Sequence, residues 1–226
     1  MSLLAGGRNL PWRGRGGLLL NAVMFAFFAG LATASIVYLL APKWNEAPVP
    51  LDAPRLPVSV AGVIYNIAPA AIRVPLQRRT GAQDRVDLAY TWPDLTAPDS
   101  HVAGSIARLF VTIQPAASSM LPSERLKSIY PRYAETPTLS GPGGLAVAPF
   151  RDDTPYQGED LVFESAAPEH FLARCSRKGV TNAGVCLLER RIDGADITLR
   201  FPRDWLNDWQ NVAGGIDKLI ARLHPA

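Results

Sequence analysis

Three patterns of hydrophobic and polar positions run along this chain, and each predicts a different structure. Residues 18–40, LLLNAVMFAFFAGLATASIVYLL, are apolar without a period and carry no charge. A helix of this length reaches roughly 34 Å, enough to cross a hydrocarbon core about 30 Å thick. Asn21 and Tyr38 fall near its ends, where headgroups solvate them. Thr33 and Ser35 are placed to bond back to the preceding helical turn. Buried helices of soluble cores rarely run this far without a charge. The pattern therefore predicts a transmembrane helix over 18–40. Ala26, Gly30 and Ala34 repeat at four-residue spacing within it, a small-residue face through which two such helices can pack into a homodimer.

From residue 58 onward the runs are short and strand-like. VSVAGVIYNI (58–67) has strand composition, and Pro69 and Pro75 interrupt the next segment. VDLAYTW (86–92), IARLFVTIQ (106–114), LAVAPF (145–150), LVFES (161–165) and FLARCS (171–176) read as further strands, rich in β-branched and apolar residues. GVCLLERRI (184–192) and ADITLRF (195–201) flank Asp193-Gly194. That dipeptide suits a type I′ hairpin turn, which needs positive φ at both positions. Ala195, Ile197, Leu199 and Phe201 alternate with Asp196, Thr198 and Arg200, predicting a sheet with one wet face.

Helical spacing appears in two places. Leu121, Arg125, Leu126 and Ile129 predict a short helix over 121–130, with Pro122 in its first turn and Pro131 ending it. From Asp204 onward, Trp205, Trp209, Val212, Ile216, Leu219 and Leu223 form a one-sided apolar stripe. Asp204 is the expected cap or dipole partner at its start, and Lys218 and Arg222 suit its last turns. Gly214-Gly215 lies inside the stripe, where each glycine costs about 1 kcal/mol relative to alanine unless a kink or close contact requires it.

Charge orients the membrane segment. Arg8, Arg13 and Arg15 precede it with no acidic residue, and Lys43 alone follows closely. By the positive-inside rule the N-terminus is cytoplasmic and the remainder lies across the membrane. Ala32-Thr33-Ala34 fits a signal-peptidase site, but the apolar run continues through Ser35-Ile36-Val37-Tyr38-Leu39-Leu40, favouring an uncleaved signal anchor. The expected organisation is a basic tail over 1–17, the membrane helix over 18–40, a proline-rich extended spacer over 41–57 and a periplasmic α+β domain over 58–226. Trp12 and Trp44 are candidate interfacial anchors. Arginine far outnumbers lysine among the 23 basic residues, the coding bias of a GC-rich bacterium.

The net charge of +3 comes from the three arginines of the N-terminal tail and leaves the domain balanced. Nucleic-acid binding, which needs a basic footprint, is not expected. Cys175 and Cys186 sit on consecutive strands around the polar loop SRKGVTNAGV. In an oxidising periplasm this predicts a disulfide across a strand pair, stabilising by roughly 3 kcal/mol in the chain-entropy model.

Catalytic chemistry is not announced. His101, His170 and His224 are scattered, with no H-E-x-x-H spacing. Glu169-His170 precedes a strand, and because adjacent strand residues face opposite ways the two are not expected to form a dyad. Ser118-Ser119 lacks a nucleophile elbow. Gly141-Pro142-Gly143-Gly144 is no P-loop and reads as a flexible turn. Asp152, Asp153, Glu159 and Asp160 crowd one segment, but their spacing does not match a calcium loop. Arg78-Arg79 and Arg190-Arg191 read as solvent-facing residues. The sequence thus predicts no catalytic, cofactor or metal site. It points to a non-enzymatic envelope scaffold or interaction module with a membrane or envelope protein partner. A ligand-binding subunit of a membrane complex and a periplasmic hydrolase are the alternatives.

Overall fold

The computed structural model describes residues 15–40, 49–99, 107–116, 120–179 and 183–225, with side chains of the first helix from Leu20. Arg8, Trp12, Arg13, residues 41–48 of the expected spacer, Ser118-Ser119 and His101 lie outside the described residues. The chain divides into two compact units, Met1–Ala47 and Pro48–Ala226.

The first unit contains helix α1, Arg15–Leu40. Its segment Leu20–Leu40 has a mean hydropathy of 2.1 and is 0% buried. Thr33 Oγ1 donates to Ala29 O at 2.8 Å, and Ser35 Oγ to Leu31 O at 2.9 Å. Both hydroxyls are thus satisfied within the helix, as an apolar surrounding demands. Ala26, Gly30 and Ala34 lie on its exposed surface.

The second unit is an α+β domain. Its small sheet has the order β2-β1-β3, from strands β1 (Leu56–Val60), β2 (Val63–Ile67) and β3 (Gly81–Ala82). The main sheet is antiparallel throughout and holds β4 (Val86–Thr91), β5 (Arg108–Pro115), β6 (Leu139–Ser140), β7 (Ala146–Pro149), β8 (Glu159–Phe163), β9 (Leu172–Ser176), β10 (Val185–Ile192) and β11 (Ala195–Pro202). Its order is β4-β5-β11-β10-β9-β8-β7-β6. A short helix, α2 (Pro122–Ser128), and a longer one, α3 (Trp209–Leu223), complete the domain.

The expected alternation holds on β11: Ala195, Ile197, Leu199 and Phe201 are buried, and Arg200 is exposed. Asp193 and Gly194 turn the β10–β11 hairpin with φ of 46° and 96°, the positive values a type I′ turn requires. The buried face of α3 is Trp209, Val212, Ala213, Ile216, Leu219 and Leu223. It joins one large core with Leu88, Val111, Ile197, Leu199 and Phe201 of the main sheet and Val58, Tyr65 and Ile67 of the small one. On the opposite face a smaller cluster of Tyr130, Ala148, Phe150, Leu161 and Leu172 packs against Leu126, Ile129 and Tyr156.

Local chemistry explains where the structure departs from the sequence pattern. VSVAGVIYNI is a hairpin rather than one strand, because Ala61 and Gly62 both take positive φ, 53° and 83°. Strand pairing begins at Leu56 and Pro57, so the last residues of the expected spacer belong to the folded unit. Strand β8 starts at Glu159, two residues early. Its acidic residues are tolerated because Arg174 pairs with Glu159 at 3.0 Å and Arg177 with Asp160 at 2.9 Å. Residues Arg203–Asp208 form 3₁₀ turns, so the α-helix starts only at Trp209. Asp208, not Asp204, takes the N-cap position of α3; Asp204 lies in the first 3₁₀ turn and pairs with Lys178.

Each edge of the main sheet is short or shielded. Beside β4, an isolated bridge joins Ile72 to Leu88, and Arg73 N donates to Asp87 O at 2.9 Å. The other edge, β6, is two residues long. Such edges offer little template for uncontrolled strand addition.

Candidate functional site

Two arginines and a buried phenol meet at an apolar cavity of about 360 Å³. Leu95, Ala97, Leu219 and Leu223 supply apolar walls, and Arg55, Tyr90 and Arg222 supply polar groups. Each comes from a different element. Arg55 precedes β1, Tyr90 lies on β4, Leu95 and Ala97 follow it, and Arg222 sits in the last turn of α3.

Leu95 holds the wall in place. Its φ is 50°, a left-handed conformation that is strained for a bulky side chain. The surroundings enforce it. Leu95 N donates to Thr91 O at 2.8 Å, its side chain is buried, and Arg222 Nη2 donates to Leu95 O at 2.7 Å. Strain of this kind persists where several contacts determine it, and it concentrates at ligand clamps. Gly215 makes the close approach possible. A Cβ there would stand 3.0 Å from Trp92 and 3.2 Å from Leu95. Gly215 thus marks a contact with the segment after β4, whereas a Cβ on Gly214 would meet nothing within 4 Å.

The polar groups are donors, and their charge is not neutralised. Neither Arg55 nor Arg222 has a carboxylate partner among the described residues. Each gives one hydrogen bond to a backbone carbonyl, Arg55 to Asn66 O at 3.3 Å and Arg222 to Leu95 O. Tyr90 is only 5% exposed, and among the described residues its hydroxyl has no hydrogen-bond partner. Burial pushes its phenol well above the usual range, while Arg222 and Arg55 act in the opposite direction. It therefore stays protonated at neutral pH, with its O–H free to donate to a ligand. Thr96 also lines the cavity, but its hydroxyl is engaged with Thr91 Oγ1 at 2.8 Å.

The residues singled out in the sequence lie elsewhere. Cys175 and Cys186 face each other in register across β9 and β10, with Cα atoms 3.9 Å apart and sulfurs at disulfide distance, 2.03 Å. Both are fully buried beneath the α3 face. His170 does not pair with Glu169. Its Nδ1 lies 2.7 Å from Glu164. His224 Nδ1 contacts Ile64 O at 3.0 Å. No hydroxyl is bonded to either ring among the described residues.

Arg190 and Arg191 are not solvent-facing as expected. Arg190 donates to His170 O, and burial lowers its pKa. Arg191 grips Asp196 through two bonds, at 2.7 and 3.0 Å. Arg78 is half-buried and donates to Ile72 O at 3.3 Å. The acidic segment is neutralised by arginines, with Arg203 joining Arg177 on Asp160. The glycine turn is a pinned contact: Gly143 takes φ 59° against Trp209, whose Nε1 donates to Gly143 O at 3.1 Å.

Nothing in the sequence connects Arg55, Tyr90 and Arg222. Arg55 falls in an apparent spacer, Tyr90 is one apolar strand position among several, and Arg222 reads as a helix-end cation. The partial signal was Arg222 beside Leu219 and Leu223, a charge at the edge of an apolar stripe.

No family model and no curated protein matches the chain. Two solved structures are similar in fold. One is the immunity protein Smlt3025 of the Stenotrophomonas maltophilia type IV secretion system, 14% identical, with a TM-score of 0.49 over 75% of this chain and 92% of that one. The other is the Neisseria meningitidis iron-regulated outer membrane lipoprotein FrpD, 12% identical, with a TM-score of 0.44 over 78% of this chain and 96% of that one. Neither likeness bears on function.

Proposed function

We propose that this chain is a single-pass bacterial inner-membrane protein whose periplasmic domain is a non-enzymatic recognition module, holding a membrane or envelope protein partner beside the bilayer. The observation that carries the reading is α1. It is apolar around its whole circumference, exposed from Leu20 to Leu40, and internally satisfied at Thr33 and Ser35. A helix of that composition is costly in water and at home in hydrocarbon. The basic residues ahead of it orient the domain outward. The paired cysteines suit the oxidising compartment that this orientation supplies.

The hydrolase alternative draws on His170, whose Nδ1 lies 2.7 Å from Glu164, but no hydroxyl is bonded to this ring or to His224 among the described residues. The ligand-binding alternative draws on the Arg55–Tyr90–Arg222 cavity, which has the apolar lining and few polar groups of a small-molecule site.

The test combines topology with capture. A reporter fused after Ala226 and active only outside the cytoplasm should be active. Crosslinking in intact membranes should recover a protein partner or a second copy of this chain. A reporter active only in the cytosol, or membranes that yield neither crosslink, overturns the proposal.

A further inference from the structure

The Arg55–Tyr90–Arg222 cavity has a chemical bias that the topology does not explain. Its charged groups are two cations with no carboxylate partner among the described residues, a free phenol O–H lies beside them, and its walls are largely aliphatic. A neutral ligand would leave the cations unmatched. A peptide segment would carry N–H groups for which the free side chains offer no charged acceptor. An acceptor-only anion on an apolar tail satisfies both halves together. The volume of about 360 Å³ lies at the lower end of small-ligand sites, roughly 300–1,000 Å³.

We propose that this cavity binds a monocarboxylate with a short to medium alkyl tail. The carboxylate lies among Arg55, Arg222 and the Tyr90 hydroxyl, and the tail lies on Leu95, Leu219 and Leu223. The Arg222–Leu95 bond makes the segment after β4 part of the same clamp, so the ligand braces the strained Leu95 turn against α3. This site does not rest on the topology proposed above. It would stand if the chain faced the other way, and the topology would stand if the site failed.

Octanoate carrying ¹³C at its carboxyl is titrated into the full chain in lipid nanodiscs, with empty nanodiscs as the partition control. A saturable component should appear only with protein. Arg55→Gln removes one charge at an exposed position and should weaken binding about tenfold. Ala97→Phe fills the half-buried wall and should abolish it, with the melting temperature of Arg55→Gln unchanged. Octanol, with the same tail and no charge, should not compete. Equal signal in empty discs, unchanged affinity in both variants, or equal competition by octanol would overturn the site. Tighter binding of octyl phosphate than of octanoate would overturn the carboxylate assignment.

Discussion

The two faces of the main sheet are stabilised in different ways. Beneath α3 the core is almost wholly aliphatic and aromatic, and it draws on both sheets and the helix. On the opposite face, one end carries the smaller apolar cluster around Phe150, and the other carries polar side chains held by one another. Asp87 is 8% exposed there. Arg85 reaches it with two bonds of 2.8 Å, Thr112 donates at 2.9 Å and Gln77 at 3.2 Å. A sheet can thus close one face by removing apolar area from water, and the other by satisfying each polar group it covers.

The largest test of that contrast uses one residue type on each face. Phe201, on the α3 side, and Phe150, in the smaller cluster, are both almost fully buried. Phe201→Ala should cost about 4–5 kcal/mol, because it sits in the larger core shared by both sheets and α3. Phe150→Ala should cost about 3 kcal/mol, since the half-buried Tyr156 stacked on it can relax toward the gap. Equal losses in denaturant melts would remove the distinction between the two faces.

Acid separates the faces next. The bonds from Arg85 outweigh burial and, with Gln77 and Thr112, lower the Asp87 carboxyl from 3.8 to about 2. A depressed folded-state pKa contributes stability that is present above the unfolded value and disappears as pH falls through the folded one. The protein should therefore lose stability between pH 3.8 and about 2. The loss should be about 1–2 kcal/mol after allowing for the exposed Arg85 partner. Asp87→Asn should flatten the stability–pH curve in that window, and an unchanged curve would show that the polar face is held otherwise.

The smallest expected effect is a gain. Tyr65, like Tyr90, brings a hydroxyl into the α3-side core. It is fully buried, its hydroxyl lacks a hydrogen-bond partner, and burial with the Asp193 charge pushes its phenol up to about 12. Removing an unsatisfied hydroxyl while keeping the ring should stabilise by about 1 kcal/mol. A Tyr65→Phe variant that melts lower would mean that this face, too, depends on a polar contact.

The parts of the fold legible in the sequence are those with a local physical cause. The α3 stripe from Trp209 to Leu223 follows from helical period, and the β10–β11 hairpin from Asp193-Gly194. The β1–β2 turn escaped notice because Ala61-Gly62 reaches the same positive φ values without the Asn or Asp that usually marks them. The early start of α3 failed for a similar reason. Trp205 fits the stripe, yet it belongs to a 3₁₀ turn and stacks on Trp92, 4.7 Å away.

By itself the sequence determined the apolar helix, the strand-rich α+β character and the C-terminal amphipathic helix, because periodicity and composition act over a few neighbouring residues. Only the tertiary structure decided which sheet face is wet, which carboxylate each arginine meets, and that Arg55, Tyr90 and Arg222 share one cavity. Those groups are separated by long stretches of chain, and no local pattern encodes a distance that only folding brings within reach.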